Sequence, residues 1–257
     1  MKTIGIYFIA TARFSKRIVD IISNDKSLLF NYNFTIVSSE RSHLYRYNFD
    51  SPTRSKWWSM LLSIYPSLRD NLNLLSPSAS HLPKQLSDSF DPQSLPQWLH
   101  PRELSFGDLS VISKHHQSLN SFLNTDDDFC LICEDDVIFY ENSLSYIHEL
   151  VQNLSFDFVD IAGGDGLNTS NADVIVSRNL QLEQKFNFAT RTACCYLVSR
   201  RYAEKLSLVL NSPVFPIDWS MSFAFSLFSF TPLVFWLCNN LADHGSSSGK
   251  VTSWRLT

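Results

Sequence analysis

Residues 129–142 read FCLICEDDVIFYEN, and this stretch decides the fold that the rest of the chain is expected to complete. An apolar segment at 129–133 leads directly into three acids at 134–136, and apolar residues resume at Val137. In an open α/β sheet, ligands bind beyond the carboxyl ends of the strands, and burying several like charges is costly unless a cation or hydrogen bonds compensate. The stretch therefore predicts a buried strand that ends at a metal or cofactor site, with an ordinary solvated turn as the alternative.

The composition predicts one globular domain. The chain has 257 residues, of which 44% are hydrophobic and 18% charged, which is typical of a folded domain rather than a disordered or fibrous chain. With 21 basic and 25 acidic side chains the net charge is −4, so there is no global electrostatic case for nucleic-acid binding. We expect a single domain over residues 1–257 and no nucleic-acid partner.

The cysteines and the apolar segments predict the cellular compartment of the protein. The five cysteines are odd in number and lie in apolar stretches, which predicts reduced core thiols in a cytoplasmic protein. Neighbouring Cys194 and Cys195 face apart on a strand and are both predicted to be core residues. The apolar segment 223–238 contains Ser, Thr and Pro and falls short of the roughly 20 residues of a spanning helix. We expect no transmembrane segment and a location at most peripheral to the inner membrane.

The first hundred residues predict the start of a doubly wound sheet. Over residues 1–50, β-branched and aromatic residues at 3–10 and 33–38 predict two strands, and helical spacing at 13–22 predicts a helix between them. No G-x-G-x-x-G follows the first strand, so a dinucleotide fingerprint is not supported. The Ser-, Pro- and Gln-rich residues 66–101 predict an irregular connection, which is either a lid or acceptor-binding segment or a surface excursion.

Residues 102–257 carry the motifs. Periodicity there predicts alternating elements: helices over residues 103–123, 143–154 and 199–210, and strands over residues 156–162, 190–198 and 233–237. Together with the opening strands, they predict an α/β fold of Rossmann-like type, with a mostly parallel central sheet flanked by helices.

Several polar residues outside the acidic triplet are candidate site residues. Residues 163–166 read GGDG and hold three of the chain's 7 glycines, so Gly164 and Asp165 are expected in a tight turn or close to a ligand. Asp218 stands alone at the edge of an apolar run, which suits either a general base or the cap of a helix starting at residue 219. His115 is either a hydrogen-bonded structural group or a substrate contact.

The polar residues 243–250 predict a flexible loop near the carboxyl terminus. Such a loop could supply His244 to a metal and Lys250 to a phosphate.

Three blocks, in this order along the chain, resemble glycosyltransferase family 25, the lipopolysaccharide and collagen galactosyltransferase type. They are Ser105 to His115, Leu131 to Val137, and Thr192 to Leu206 followed by Pro216-Ile217-Asp218. The resemblance runs from about residue 103 to the carboxyl terminus, and its specific part is the Glu-Asp-Asp motif. Lys114 stands where the family has Ser, and Phe106 where it has a small residue or Pro, so the resemblance is to a distant member.

The resemblance implies a GT-A fold and a metal-dependent transferase. It implies transfer of a sugar from a nucleotide-sugar donor to a glycan or lipopolysaccharide-type acceptor with inversion. UDP-sugars are the favoured donors, and UDP-galactose is one candidate among them. Glu134 and Asp136 would hold the donor ribose and a Mn²⁺ or Mg²⁺ ion, and His244 would complete the metal site. Asp218, with Asp165 as second choice, would act as the base.

Further donor contacts are expected from the residues around this motif. An extended chain would place Glu134 and Asp136 on one face and leave Asp135 to brace the loop. The predicted donor-binding residues are the three acids together with Gly164, His115 and Lys250.

Two other function classes fit the same acids. A metal-dependent phosphohydrolase or nuclease also clusters carboxylates around Mg²⁺. A degenerate domain that binds a sugar nucleotide without turnover is the other possibility.

Overall fold

The computed structural model describes residues 2–10, 33–38, 106–163, 169, 172–185, 192–211, 216–225, 231–246 and 248–250. Its strands are β1 Ile4–Ala10, β2 Asn33–Ser38, β3 Phe129–Glu134, β4 Val137–Phe139, β5 Phe158–Asp160, β6 Val174–Ser177, β7 Leu180–Lys185, β8 Cys195–Ser199, β9 Val234–Leu237 and β10 Ala242–His244. Its helices are α1 Phe106–Leu123, α2 Ser143–Asn153, α3 Arg200–Asn211 and α4 Ile217–Phe225. None of these four helices combines the length and the apolar character that crossing a membrane requires.

The central sheet has eight strands among the described residues, in the order β2-β1-β3-β8-β5-β9-β7-β6. Strand β1 is parallel to β2 and β3, and β5 is parallel to β9. Strands β8 and β7 are antiparallel to both of their neighbours, so six strands share one direction. The predicted α/β class, with a mostly parallel central sheet flanked by helices, is confirmed.

The core lies in two layers, one on each face of the sheet. Along β3, Leu131 and Cys133 join the layer that contains α2, whereas Cys130 and Ile132 join the layer that contains α1, α3 and α4. This division follows from the alternation of side chains along a strand. Since both faces are covered by apolar residues, β3 is an almost continuous hydrophobic run up to its carboxyl end.

Helix α1 presents a buried stripe at helical spacing. Ile112, His115, Leu119 and Phe122 recur every three or four residues and are all at most 1% exposed, which is the pattern of an amphipathic helix with its apolar face toward the core. A histidine in the middle of this stripe must point toward the sheet. The helix therefore brings His115 to the carboxyl end of β3.

A second, two-stranded sheet joins two segments that are about 100 residues apart. Strand β10 pairs antiparallel with β4, with His244 opposite Val137 and Asp243 opposite Ile138. The loop prediction for residues 243–250 is thus wrong at its start, because residues 243 and 244 belong to a strand. The short sequence between Leu241 and Gly245 has no strand signal of its own, and its extended form depends on the partner β4.

Several predicted segments lie outside the described residues. They include the helix at 13–22 and the irregular connection at 66–101. The division into 1–50, 66–101 and 102–257 within a single domain stays a prediction.

Candidate functional site

The candidate site lies where β3 ends. Glu134 is the last residue of β3, residues 135–136 form a turn, and β4 starts at Val137. Because β8 is antiparallel to β3, the start of β8 lies beside the end of β3, and the amide of Glu134 donates to the carbonyl oxygen of Cys194 at 2.7 Å. The β4–β10 pair brings His244 to the same turn. Three distant segments therefore meet at one point.

The Asp136 carboxylate has partners from two of these segments. Its Oδ2 lies 3.1 Å from Nε2 of His244 and accepts a hydrogen bond from the amide of Ser246 at 3.3 Å. Its Oδ1 accepts a bond from the Cys194 thiol at 3.7 Å. Burial raises the pKa of Asp136, but the bonds from His244 and Ser246 outweigh burial and hold the pKa below its ordinary value. Asp136 is therefore a carboxylate at neutral pH.

Asp136, Cys194 and His244 form a group that could hold a metal ion. One ligand atom from each residue lies within 4.8 Å of the others. Carboxylate, thiol and imidazole are all ligands of divalent transition metals, so the residues present fit a metal of this kind. The prediction assigned Glu134, Asp136 and His244 to a metal. Cys194 was predicted in the core, where it lies, and its place in the metal-competent group was missed because nothing in the local sequence shows which residue lies beside the end of β3.

Cys194 carries a protonated thiol when no metal is bound. It is 1% exposed, and burial raises the pKa of this thiol well above its ordinary value, with the negative charges of Glu134 and Asp136 raising it further. This agrees with its role as a hydrogen-bond donor to Asp136.

Glu134 faces a different partner. Its Oε1 lies 3.4 Å from Nε2 of His115, and Nδ1 of His115 lies 2.7 Å from the hydroxyl of Tyr196. Burial raises the pKa of Tyr196 well above its ordinary value, so its hydroxyl keeps its proton and can donate to Nδ1. When Tyr196 donates to Nδ1, the other ring nitrogen, Nε2, is the one that can donate to Glu134.

The rings of His115 and Tyr196 also stack on each other. Their centroids are 5.7 Å apart with 13° between the planes, and His115 is 0% exposed. The structure thus places His115 behind Glu134, inside the protein, where it can orient the carboxylate. A direct contact of His115 with a donor and a metal contact of Glu134 stay predictions.

The third acid, Asp135, is buried within electrostatic range of Lys114. In the sequence, Lys114 is noted only as a departure from the family pattern. Lys114 is 2% exposed and Asp135 5%. Burial lowers the pKa of Lys114, and the charges of Asp135 and Glu134 counteract this effect. The buried position of Asp135, within electrostatic range of Lys114, agrees with a role in bracing the loop.

Asp218 lies within electrostatic range of this network. It is in the first turn of α4, which begins at Ile217. The predicted capping role required Asp218 to precede the helix, and it is wrong because Asp218 lies inside the helix. Its charge is one of those that raise the pKa of Tyr196, after burial. A role as a base stays a prediction.

Of the remaining predicted residues, two lie outside the described residues and Lys250 has a partner of its own. Gly164 and Asp165 lie outside the described residues. Gly163, just before them, has a φ of +67°, in the region that favours glycine. Lys250 donates to Oδ2 of Asp243 at 2.7 Å, and this bond raises the pKa of Lys250. Its phosphate contact stays a prediction.

Comparison with known proteins finds only distant structural likeness. No family model and no curated protein matches the sequence. The structure is similar to A197 from STIV, with 12% identity and a TM-score of 0.42 over 93% of this chain and 83% of that one.

It is also similar to two structures of LgtC. One is the galactosyltransferase LgtC in complex with donor and acceptor sugar analogues, with 10% identity and a TM-score of 0.35 over 87% of this chain and 70% of that one. The other is an active-site mutant of LgtC, with 10% identity and a TM-score of 0.36 over 90% and 72%. Membership of glycosyltransferase family 25 stays a prediction.

Proposed function

We propose that this chain is a metal-dependent glycosyltransferase of the GT-A type. It would move a sugar from a nucleotide-sugar donor, with UDP-sugars and UDP-galactose as first choices, to a glycan or lipopolysaccharide-type acceptor with inversion. The observation that carries the proposal is the position of the Asp136, Cys194 and His244 group, whose ligand atoms lie within 4.8 Å of one another. It stands at the carboxyl end of a strand in an α/β sheet, where ligands bind in such folds.

The residues around the acidic turn would have different roles in donor binding. A divalent ion at Asp136, Cys194 and His244 would supply Lewis-acid stabilisation of the diphosphate leaving group. Glu134, oriented by His115 at 3.4 Å, would accept hydrogen bonds from the donor ribose. The amide of Ser246 keeps Oδ2 of Asp136 in place at 3.3 Å, because ligand carboxylates need such outer partners to hold their orientation.

The transfer step needs a base. As the acceptor hydroxyl oxygen forms a bond to the anomeric carbon, the bond from that carbon to the diphosphate breaks, and the hydroxyl proton passes to a carboxylate. Asp218 is the first choice because its charge reaches Tyr196, whose hydroxyl bonds His115 behind Glu134. Asp165 is the second choice. The nucleoside diphosphate leaves with the negative charge.

The remaining expectations belong to the same proposal. Lys250 would meet the donor phosphates, for which it must leave Asp243, and Gly164 would approach the donor through its backbone. The partners would be the nucleotide sugar and a glycan or glycolipid acceptor, without nucleic acid. The protein would be cytoplasmic and at most peripheral to the membrane.

A donor-turnover screen tests the proposal. UDP-, GDP- and CMP-sugars are incubated with a series of divalent ions, and release of the leaving nucleotide (UDP, GDP or CMP) is measured for the wild type, Asp136→Asn and Asp126→Asn. Asp126 is exposed in the loop before β3, so its variant makes the same charge change away from the site. We expect Asp136→Asn to reduce turnover by at least about 100-fold, the scale reached even by outer-shell changes at metal sites, and Asp126→Asn to leave it unchanged.

A metal-dependent phosphohydrolase is the second candidate. The observation that favours it is the mixed carboxylate, thiol and imidazole set, which resembles the three-ligand sites of metal hydrolases that activate water. The same screen separates the two, since a phosphohydrolase releases phosphate, or nucleoside monophosphate from a UDP- or GDP-sugar, and shows no rate increase with a sugar acceptor. Absence of turnover with every donor, or equal turnover in Asp136→Asn, would exclude the transferase.

A further inference from the structure

The metal-competent group at the acidic turn contains a sulfur atom. Sγ of Cys194 lies 3.7 Å from Oδ1 of Asp136, and Nε2 of His244 lies 3.1 Å from Oδ2 of the same carboxylate. The resemblance to glycosyltransferase family 25 implies Mn²⁺ or Mg²⁺, which take oxygen ligands. A thiol at this position changes which cation the site prefers.

We propose that Cys194 is a direct metal ligand and that the site therefore selects a borderline cation of the Zn²⁺ or Co²⁺ type over Mg²⁺. This inference rests on the proposed function only in that it concerns the metal of the same site. Thiolate ligands favour Zn²⁺ and similar ions, whereas Mg²⁺ requires near-octahedral oxygen coordination and keeps several waters.

The ligand atoms lie close enough together to coordinate one ion. At bond lengths of about 2.0–2.3 Å, a tetrahedral zinc site separates neighbouring ligand atoms by roughly 3.3–3.6 Å. The imidazole lies 3.1 Å from Oδ2 and the thiol 3.7 Å from Oδ1 of the Asp136 carboxylate, so each is near that range from one of its two oxygens. The group needs only small side-chain movements to close around an ion, because no pair of its ligand atoms is more than 4.8 Å apart.

With three protein ligands, the proposed site keeps one coordination position open. Three protein ligands leave the fourth tetrahedral position for a substrate atom, which is the arrangement of catalytic rather than structural zinc sites. The His244 side chain is 20% exposed, whereas Asp136 and Cys194 are buried. A donor oxygen would therefore reach the ion from the side of His244 and its turn.

The surrounding backbone supports this ligand set. The amide of Gly245 donates to the carbonyl oxygen of Asp136 at 3.0 Å, and the next amide, of Ser246, donates to its carboxylate. On the other side, the carbonyl oxygen of Cys194 accepts the bond from the amide of Glu134 at 2.7 Å. Asp136 and Cys194 are thus both hydrogen-bonded to the backbone of another segment, which is the kind of outer support that metal ligands have.

Titration of the metal-free protein with CoCl₂ tests the inference without donor or acceptor. We expect the wild type to develop a near-ultraviolet thiolate-to-cobalt charge-transfer band together with strong visible bands of a four-coordinate ion. Cys194→Ser should lose the charge-transfer band, and Cys194→Ala should bind Co²⁺ at least about 100-fold more weakly. The serine variant preserves size and the bond to Asp136, and circular dichroism checks that both variants fold.

Cys130→Ala is the matched control. Cys130 is as buried as Cys194 but lies in the opposite core layer, so its loss should leave the cobalt spectrum unchanged. In competition, micromolar ZnCl₂ should remove the cobalt bands, and millimolar MgCl₂ should not.

Each contrary outcome overturns the inference. These outcomes are no Co²⁺ binding by the wild type, a cobalt spectrum without the charge-transfer band, a band that persists in Cys194→Ser, or displacement by Mg²⁺ as effective as by Zn²⁺. The proposed transferase fails separately. A thiolate–cobalt spectrum without donor turnover would support the cation inference and refute the transferase. Mg²⁺-supported turnover in Cys194→Ala would support the transferase and refute the cation inference.

Discussion

Glu134 and Asp136 are two positions apart in the sequence, but the Glu134 carboxylate lies 3.4 Å from Nε2 of His115 and the Asp136 carboxylate 3.1 Å from Nε2 of His244. The contact between His115 and Glu134 is on the side of the sheet that α1 covers. The group around Asp136 includes Cys194, which belongs to the opposite core layer. The turn at 135–136 separates the two acids. One acid is thus supported by a buried histidine and tyrosine, and the other by potential metal ligands.

Tyr196→Phe should impair donor binding through Glu134. Removing the hydroxyl leaves Nδ1 of the buried His115 without its 2.7 Å partner, which costs about 1–3 kcal/mol of stability and frees the ring that orients Glu134. We expect KM for the donor to rise more than kcat falls, as measured by initial rates, with the free energy of unfolding taken from urea titration.

Tyr202→Phe is the control for this experiment. Tyr202 is equally buried, and its hydroxyl donates to the carbonyl oxygen of Met221 at 2.9 Å. Its loss should lower stability by a similar amount and leave donor KM unchanged. An equal rise of KM in both variants would mean that the effect is general destabilisation.

His244→Ala should raise the metal concentration needed for turnover. The variant removes the ligand atom 3.1 Å from Asp136, and we expect at least about a tenfold higher half-saturating metal concentration. Chelation with EDTA should abolish turnover in the wild type, and added metal should restore it. His116→Ala, which removes a ring bonded to Asn120 at 3.2 Å on the surface of α1, should leave the metal dependence unchanged.

Gly163→Ala should destabilise the protein on two grounds. The residue has a φ of +67°, and an added Cβ would overlap the side-chain amide of Asn240. Positive φ in a non-glycine residue costs about 1–3 kcal/mol, and the overlap adds to this. Gly249→Ala is the control, since its φ is +72° but no atom of the described residues lies within 4 Å of the added Cβ. Thermal unfolding should show a larger loss for Gly163→Ala, and Asn240→Ala in that background should restore part of it.

Alkaline unfolding should depend on Tyr7. Burial raises the pKa of this phenol to about 12 from its ordinary 10.0. Because the folded state holds this proton more tightly than the unfolded state, stability is fully present below pH 10.0 and falls as the pH rises through about 12. The loss is on the order of 3 kcal/mol. Buried Tyr196 and Tyr202 also have raised pKa values and add to the slope.

Tyr7→Phe removes this contribution, so the decline of unfolding free energy above pH 10.0 should be shallower than in the wild type. Tyr140→Phe is the control because Tyr140 is 47% exposed. Urea titrations from about pH 8 to pH 11, within the range where the phenols ionise, measure both. An identical slope in the wild type and Tyr7→Phe would contradict the expectation.

Local periodicity was enough to predict much of the fold. Strand β2 was predicted with its observed bounds, and β1, β3 and α1 within a few residues. The signals were runs of β-branched and aromatic residues for the strands and a three-to-four-residue apolar repeat for α1. These signals are local, because the face of a strand or helix on which a side chain lies follows from the position of the residue in that element. For the same reason, the sequence indicated that acids stand at the end of a buried strand.

Only the tertiary structure decided what surrounds those acids. The antiparallel placement of β8 brings Cys194 to Asp136, and the pairing of β10 with β4 brings His244. Both depend on contacts between segments far apart in the chain, which leave no periodic trace in the sequence. The turn after Glu134 likewise sent two acids to different partners where an extended chain would have aligned them. The sequence by itself determined that carboxylates end β3, and long-range strand pairing determined that one of them meets a histidine and a thiol.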